Sequence, residues 1–100
     1  MSAPSRAVLK KVREWIKYAD DDLLFARHGL TIKSGSPYRL VAFHAQQSAE
    51  KFIKSYLVYH SIDFPYTHDI RILLKLCMRK ASWPEELKDA EELTPFAFTL

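Results

Sequence analysis

The segment YRLVAFHAQQSAEKFIKSYLVYH, residues 38–60, contains neither Gly nor Pro and directly follows the breaker run Ser34-Gly35-Ser36-Pro37. As one helix of about 23 residues it would be roughly 34 Å long, enough to span a small domain. Helical spacing places an apolar set on one side of it: Val41, Ala42, Ala45, Ala49, Phe52, Ile53 and Tyr56. We therefore expect this segment to be the central helix, with its alanines allowing a neighbouring helix to approach closely.

A second row of this helix is polar and follows the spacing i, i+3, i+4, i+7, i+11. Its members are His44, Gln47, Ser48, Lys51 and Ser55. A solvated row would consist mainly of Lys and Glu, whereas this row has apolar neighbours, so we interpret it as an interface or a binding site. We predict a homodimer that buries the side formed by Leu40, Phe43, His44, Gln47 and Lys51.

Length and composition exclude several classes of protein. One hundred residues make one domain, residues 1–100, and an apolar content of 48% with 13% aromatic residues excludes a disordered chain. The apolar runs are too short for a membrane-spanning helix, and no secretory signal is present. The single Cys77 cannot form an internal disulfide, which is typical of a reducing compartment. We therefore expect a cytoplasmic protein that does not associate with a membrane.

The rest of the chain also has helical spacing. Ser5 is a good N-cap for a first helix that ends near Gly29, and Thr67 is a good N-cap for a third. Ser82-x-x-Glu85 is a capping box that opens a short fourth helix. The sequence thus predicts an all-α, up-and-down bundle of about four helices. The residues expected in its core are Trp15, Ala19, Ala45, Ala49, Phe52 and Leu73.

The run Asp20-Asp21-Asp22 is interpreted as a solvated acidic face, because consecutive helix positions cannot converge on one metal ion. No H-x-x-x-H or Cys/His pair occurs, so we expect no metal site and no cofactor.

Three sequence blocks together resemble a known family. They are Trp15…Ala19…Asp22-Leu23…Ala26, then Phe43-His44-Ala45-Gln46-Gln47-Ser48-Ala49-Glu50-Lys51, then Pro65-x-Thr67-His68-Asp69-Ile70…Leu73-Leu74. Over roughly residues 12–98 the chain is similar to a prokaryotic HEPN (higher eukaryotes and prokaryotes nucleotide-binding) domain. The resemblance implies a helical bundle that dimerises and acts beside a separately encoded minimal nucleotidyltransferase, in pairs that include toxin–antitoxin systems. Family members continue through a further long helix, whereas this sequence stops at Leu100. The resemblance therefore implies that another subunit would supply the wall of the bundle that this helix forms.

Ribonuclease members of the superfamily carry Arg, then four to six residues, then His, and Arg39 and His44 have this spacing. The Arg would steady phosphate charge, and the His would transfer protons to activate the 2′-OH of RNA. Three observations oppose catalysis: Leu40 stands where the nucleases place a polar residue, the pair lies on an early helix, and side chains at i and i+5 point about 140° apart. A hydrogen-bonded His44 in a semi-buried helix interface is the preferred interpretation.

Three functions follow from these observations. The first is a non-catalytic, homodimeric HEPN module that binds a minimal nucleotidyltransferase and, as a further expectation, a nucleotide. The second is a metal-independent endoribonuclease toxin that uses Arg39 and His44, and the third is an inert, truncated remnant. The expected ligand or interface residues are Phe43, His44, Gln47, Ser48 and Lys51. A basic surface for phosphate or RNA is a further candidate, although such charges are usually solvated. Its members would be Lys51, Lys54, Arg71, Lys75 and Arg79.

Overall fold

The computed structural model describes residues 3–79, and this part of the chain forms three α-helices and no β-strand. Helix α1 spans Arg6–Leu30, α2 spans Tyr38–Tyr59, and α3 spans Ile70–Met78. The predicted all-α class is therefore confirmed. The predicted fourth helix and the apolar tail at residues 96–100 lie outside the described residues.

Helix α1 begins and ends with side-chain hydrogen bonds to the backbone. The Ser5 hydroxyl accepts a hydrogen bond from the Val8 N–H at 3.2 Å, as expected of an N-cap. At the other end, the Ser36 hydroxyl donates to the Gly29 carbonyl at 2.8 Å, which satisfies one of the carbonyls that a helix end leaves without a partner. The short connector to α2 is thereby attached to the helix that precedes it.

Helices α1 and α2 pack through small residues of α1. Ala19 and Ala26 are its buried residues, and Gly29 continues the same face three positions further on. A Cβ at Gly29 would lie only 2.5 Å from Cγ2 of Val41. Only glycine therefore permits this close approach of the two helices.

The main hydrophobic cluster lies between α2 and α3. Its buried members are Ile53, Leu57, Ile70, Leu73, Leu74 and Cys77. Of the predicted core residues, Ala19 and Leu73 are buried, whereas Trp15, Ala45 and Ala49 are only half-buried. The prediction was wrong for Phe52, which is 37% exposed, because α1 and α3 pack on other sides of α2.

Helix α3 begins two residues later than the predicted Thr67 cap. Asp69 is the N-cap, and its carboxylate accepts from the Arg71 N–H at 3.0 Å. The Thr67 hydroxyl instead accepts from the Asp69 N–H at 3.0 Å. The Arg71 guanidinium also donates to both carboxylate oxygens, and these hydrogen bonds hold the pKa of Asp69 below its usual value.

Within residues 3–79, no helix combines the length and the apolar character that crossing a membrane requires.

Candidate functional site

Asp22 of α1 binds two side chains of the polar row of α2. Its Oδ1 lies 3.0 Å from Nδ1 of His44, and its Oδ2 accepts from Nζ of Lys51. We call these three residues the Asp22 cluster. The acidic-face prediction was wrong for Asp22, whose side chain is 14% exposed, whereas Asp20 and Asp21 are exposed. Since Asp22 lies between Ala19 and Ala26 on the packed face of α1, it must point at α2.

The His44 ring is held on several sides. Besides its contact with Asp22, it lies 4.5 Å from the Phe25 ring and 5.3 Å from the Phe43 ring, centroid to centroid. A carboxylate at Nδ1 fixes the ring orientation and leaves Nε2 as the nitrogen available to other groups. With its side chain 27% exposed, His44 has the partners expected of a semi-buried interface histidine.

Arg39 does not join the Asp22 cluster. It lies in the first turn of α2 and is exposed, and among the described residues its side chain makes no hydrogen bond or ion pair. Because Arg39 and His44 both belong to the continuous helix α2, they point about 140° apart. The structure thus brings His44 together with Asp22 and Lys51, but not with Arg39.

The other predicted ligand or interface residues pack mainly within the chain. Ser48 is buried, and Phe43 and Gln47 are half-buried. The Gln47 amide donates to Oε1 of Gln46 at 2.9 Å. Since Ser48 lies on the same side of α2 as His44 and Lys51, the predicted polar row faces α1.

A second polar cluster, which the sequence did not predict, lies on a neighbouring side of α2, about 100° from the first at Glu50 and Lys51. Nζ of Lys54 is 2.9 Å from Oε2 of Glu50, and Nδ1 of His68 is 3.0 Å from Oε1. The Gln46 amide donates to the same Oε1 at 3.3 Å and to the His68 carbonyl at 3.4 Å. We call these four residues the Glu50 network. The side chains of Glu50 and Lys54 are only 2% and 6% exposed.

Lys54 also contacts aromatic rings from two other parts of the chain. Its Nζ lies 5.5 Å from the ring centroid of Trp15 and 5.9 Å from that of Phe64, distances at which a cation is attracted to an aromatic face. The prediction that Lys54 belongs to a basic surface was therefore wrong. Its side chain instead connects α1, α2 and the segment before α3. The i, i+4, i+8 spacing of Gln46, Glu50 and Lys54 was the signal available in the sequence.

The polar clusters do not amount to a metal centre. No group of three or more His, Cys, Asp or Glu side chains suited to a metal ion occurs in the described part of the chain. The one thiol, Cys77, is buried, and burial raises its pKa to about 11. A thiol with such a pKa is a poor nucleophile near neutral pH.

The fold and the two polar clusters define a helical-bundle domain in which three of the four charged side chains of the central helix are paired within the chain. Among known families, the model of the HEPN domain matches residues 12–99. The chain therefore belongs to the HEPN family. Comparison with curated proteins and with solved structures returned no similar chain.

Proposed function

We propose that this chain is a non-catalytic HEPN interaction module that forms a homodimer and binds a minimal nucleotidyltransferase, with a nucleotide as a further candidate ligand. The observation that supports it is the orientation of the charges of α2. Of its four charged residues, Glu50, Lys51 and Lys54 form ion pairs within the chain. Charges engaged in this way stabilise the monomer and leave an uncharged side of the helix for protein contacts.

The uncharged side of α2 carries Phe52 and Tyr59, next to Ala49 and Tyr56, which pack against the hydrophobic cluster between α2 and α3. Phe52 and Tyr59 are exposed large apolar side chains, and an exposed apolar band of this kind is typical of a protein-binding surface. The sequence prediction placed the dimer on the side of Leu40, Phe43, His44, Gln47 and Lys51. Since His44 and Lys51 are bound to Asp22 within the chain, the dimer surface that we propose is the uncharged side of α2.

The nucleotidyltransferase partner is inferred from the family resemblance. The blocks Phe43–Lys51 and Thr67-His68-Asp69 resemble HEPN proteins that act beside such enzymes, including toxin–antitoxin pairs. The structure adds that these blocks supply the Asp22 cluster and the Glu50 network. Both clusters fix the shape of α2, on which a partner would dock.

One observation favours the second candidate, an endoribonuclease. A histidine whose Nδ1 contacts a carboxylate is oriented as a general acid or base would be. Arg39 opposes this function, because it points about 140° away from His44. A phosphate at His44 would therefore lack the arginine that the motif requires. We therefore retain the ribonuclease as the alternative.

The dimer is tested by light scattering on purified protein at about 100 μM, where an interface of standard size stays associated. We expect a dimer for the parent chain and a monomer for Phe52→Glu, since the dimer interface would have to bury the new carboxylate without a partner. Leu24→Glu, an exposed apolar position on α1, is the matched control and should remain dimeric. A monomeric parent chain would contradict the proposal.

Catalysis is tested by incubating RNA with the parent chain, His44→Ala and Arg39→Ala, with and without EDTA. A non-catalytic module gives no cleavage above a mock preparation. EDTA-resistant cleavage that falls about 10²–10⁴-fold in both variants would establish the ribonuclease instead.

The partner is tested first by whether a neighbouring gene encodes a minimal nucleotidyltransferase, and then by titrating the chain with that protein, with heat release as the readout. We expect binding in the range of specific protein complexes, with Kd below about 1 μM. No binding at a hundredfold higher concentration would remove the nucleotidyltransferase from the proposal and leave the dimer in place.

A further inference from the structure

The first half of α1 carries four cationic side chains on one face. Arg6, Lys10, Arg13 and Lys17 follow the spacing i, i+4, i+7, i+11, which places them within an arc of about 60° around the helix axis. All four are exposed, and we call them the α1 basic row. At a rise of 1.5 Å per residue the row is about 17 Å long, with neighbouring cations about 4.5–6 Å apart along the axis.

The α1 basic row points away from the other helices. Ala19 and Ala26, the buried residues of α1, lie on the opposite face of the helix by the same spacing. Asp22, which binds His44 and Lys51, belongs to that packed face as well. The row is therefore a surface of its own, separate from the Asp22 cluster and from the Glu50 network.

The positive charge of the chain is concentrated in this half of α1. Residues 1–19 contain five basic residues and a single acidic one, Glu14. Residues 20–100 contain ten basic and eleven acidic residues. The net charge of +3 therefore comes wholly from the first 19 residues, and a concentration of one sign of charge attracts ligands of the other sign.

Helix stability does not account for the α1 basic row. Like charges at i, i+3 and i, i+4 repel each other, and cations near a helix N-terminus are opposed by the helix dipole. The first turn of α1 has no acidic residue, and within residues 3–79 the row makes one ion pair, an exposed contact of 3.8 Å between Lys17 and Asp21. By contrast, Lys51, Lys54 and Arg71 are each paired with a carboxylate. A local arrangement that opposes stability is expected at functional sites.

We propose that the α1 basic row binds the phosphate backbone of a nucleic acid without reading its bases. Exposed Arg and Lys side chains contact phosphates in this way, and each contact releases bound counterions. An acidic protein surface is the less favoured occupant, because protein interfaces have a largely apolar core and the row has no apolar member. Interfaces with nucleic acids are more polar and much more positively charged, as this row is.

The proposal is tested on the full chain by fluorescence anisotropy with three labelled probes of about 20 nucleotides. They are a single-stranded RNA, the DNA strand of the same sequence and the duplex of that DNA; the DNA probes lack the 2′-OH that RNA cleavage would use. We expect a Kd between about 10⁻⁶ and 10⁻⁴ M near physiological salt. Four neutralised phosphates predict that log K falls with log salt concentration with a slope of about −2.8 for a single strand and −3.6 for the duplex. The probe with the lowest Kd identifies the bound form, and no binding of any probe in low salt at about 10⁻⁴ M protein would overturn the proposal.

Two double variants of equal charge assign the binding to the row. Lys10→Gln with Arg13→Gln removes two of its four cations, so the single-strand slope should fall to about −1.4. Arg27→Gln with Lys33→Gln is the matched control: it removes the same net charge from two exposed positions beyond the row, and it should keep the parent slope. Thermal unfolding should show the row variant to be at least as stable as the parent, because like-charge repulsion is relieved. Equal changes of slope in the two double variants would overturn the assignment.

Competition with polyglutamate distinguishes a nucleic acid from an acidic protein surface. We expect polyglutamate to displace the probe only at a charge concentration well above that of unlabelled nucleic acid, since the dense phosphate charge of a nucleic acid releases more counterions. Displacement at equal charge concentration would overturn the nucleic-acid assignment. Because these measurements depend on neither Phe52 nor the nucleotidyltransferase, their failure leaves the proposed function in place, and a monomeric parent chain leaves this proposal in place.

Discussion

At the scale of single residues, Asp22 is the acceptor for both His44 and Lys51. Replacing it by Ala leaves these two half-buried groups without that partner. We expect Asp22→Ala to lower the free energy of unfolding by about 1–3 kcal/mol in urea denaturation. Asp21→Ala is the matched control, since its exposed contact with Lys17 spans 3.8 Å, and it should change stability by less than about 0.5 kcal/mol. Equal effects of the two substitutions would contradict the role given to Asp22.

Lys54 provides a second test at this scale. Lys54→Met keeps the apolar stem but leaves the buried Glu50 carboxylate without its cation, at a cost of about 3–5 kcal/mol. Adding Glu50→Gln removes that unpaired charge and should recover part of the loss. Lys75→Met, at an exposed position of α3, is the control. Thermal unfolding of the parent, Lys54→Met, Glu50→Gln and the double variant gives the coupling energy, and a simple sum of the two single effects would contradict the pairing.

The sequence could predict some of these residues but not others. Helical spacing correctly placed His44, Ser48 and Lys51 on one side of α2, because that spacing depends only on the geometry of a helix. It could not say which side another helix would cover. Lys54 was therefore assigned to a basic surface and Glu50 was given no role, whereas their burial depends on His68 and Trp15, which are distant in sequence.

At the scale of elements, the contact between Gly29 and Val41 controls how closely α1 approaches α2. Gly29→Ala removes a poor helix former, which alone would stabilise a helix by about 1 kcal/mol. The added methyl would meet the stiff Val41 side chain at 2.5 Å, so we expect a net loss of stability, of order 1–2 kcal/mol. The double variant Gly29→Ala/Val41→Ala should lose less through this clash. Chemical denaturation that shows Gly29→Ala more stable than the parent would contradict the contact.

The N-cap of α3 gives a pH-dependent prediction. Asp69→Ala should cost about 1 kcal/mol at pH 7, as loss of an N-cap usually does. Hydrogen bonds from Arg71 lower the pKa of Asp69 from its ordinary 3.8. Its contribution is therefore fully present above pH 3.8 and is lost as the pH falls through the lower folded-state pKa. The stability difference between parent and variant, measured in urea, should narrow in acid, and a constant difference would argue against the cap.

The helix boundaries were largely predictable because they depend on local chemistry. The sequence placed the central helix at residues 38–60, and α2 spans Tyr38–Tyr59. The cap of α3 was misplaced because Thr67 and Asp69 are both good capping residues, and each uses its side chain to accept a backbone N–H. Spacing alone does not decide between two such residues.

At the scale of the whole molecule, the helical-bundle class followed from the absence of strand patterns and from the motif blocks. The packing order did not. In an amphipathic helix the apolar side normally faces the core, whereas α2 packs its polar row on α1 and leaves Phe52 exposed. The Asp22 cluster and the Glu50 network make that arrangement possible. Neither could be recognised from the sequence, because each joins residues that are far apart along the chain.

The unequal attachment of the three helices has a consequence for amide hydrogen exchange. Among the contacts within residues 3–79, helix α1 is held to α2 near Gly29, at Asp22 and at Trp15. The nine-residue α3 is held there by its own apolar residues and by the His68–Glu50 contact at its start. Detaching α3 should therefore require less free energy than global unfolding. We expect the amides of Leu73 and Leu74 to exchange faster than those of Ser48 and Ile53, and His68→Ala to widen the gap. Each opening would admit water to Glu50 and Lys54, so a solvent-exposed ion pair would exist transiently in an otherwise folded hairpin.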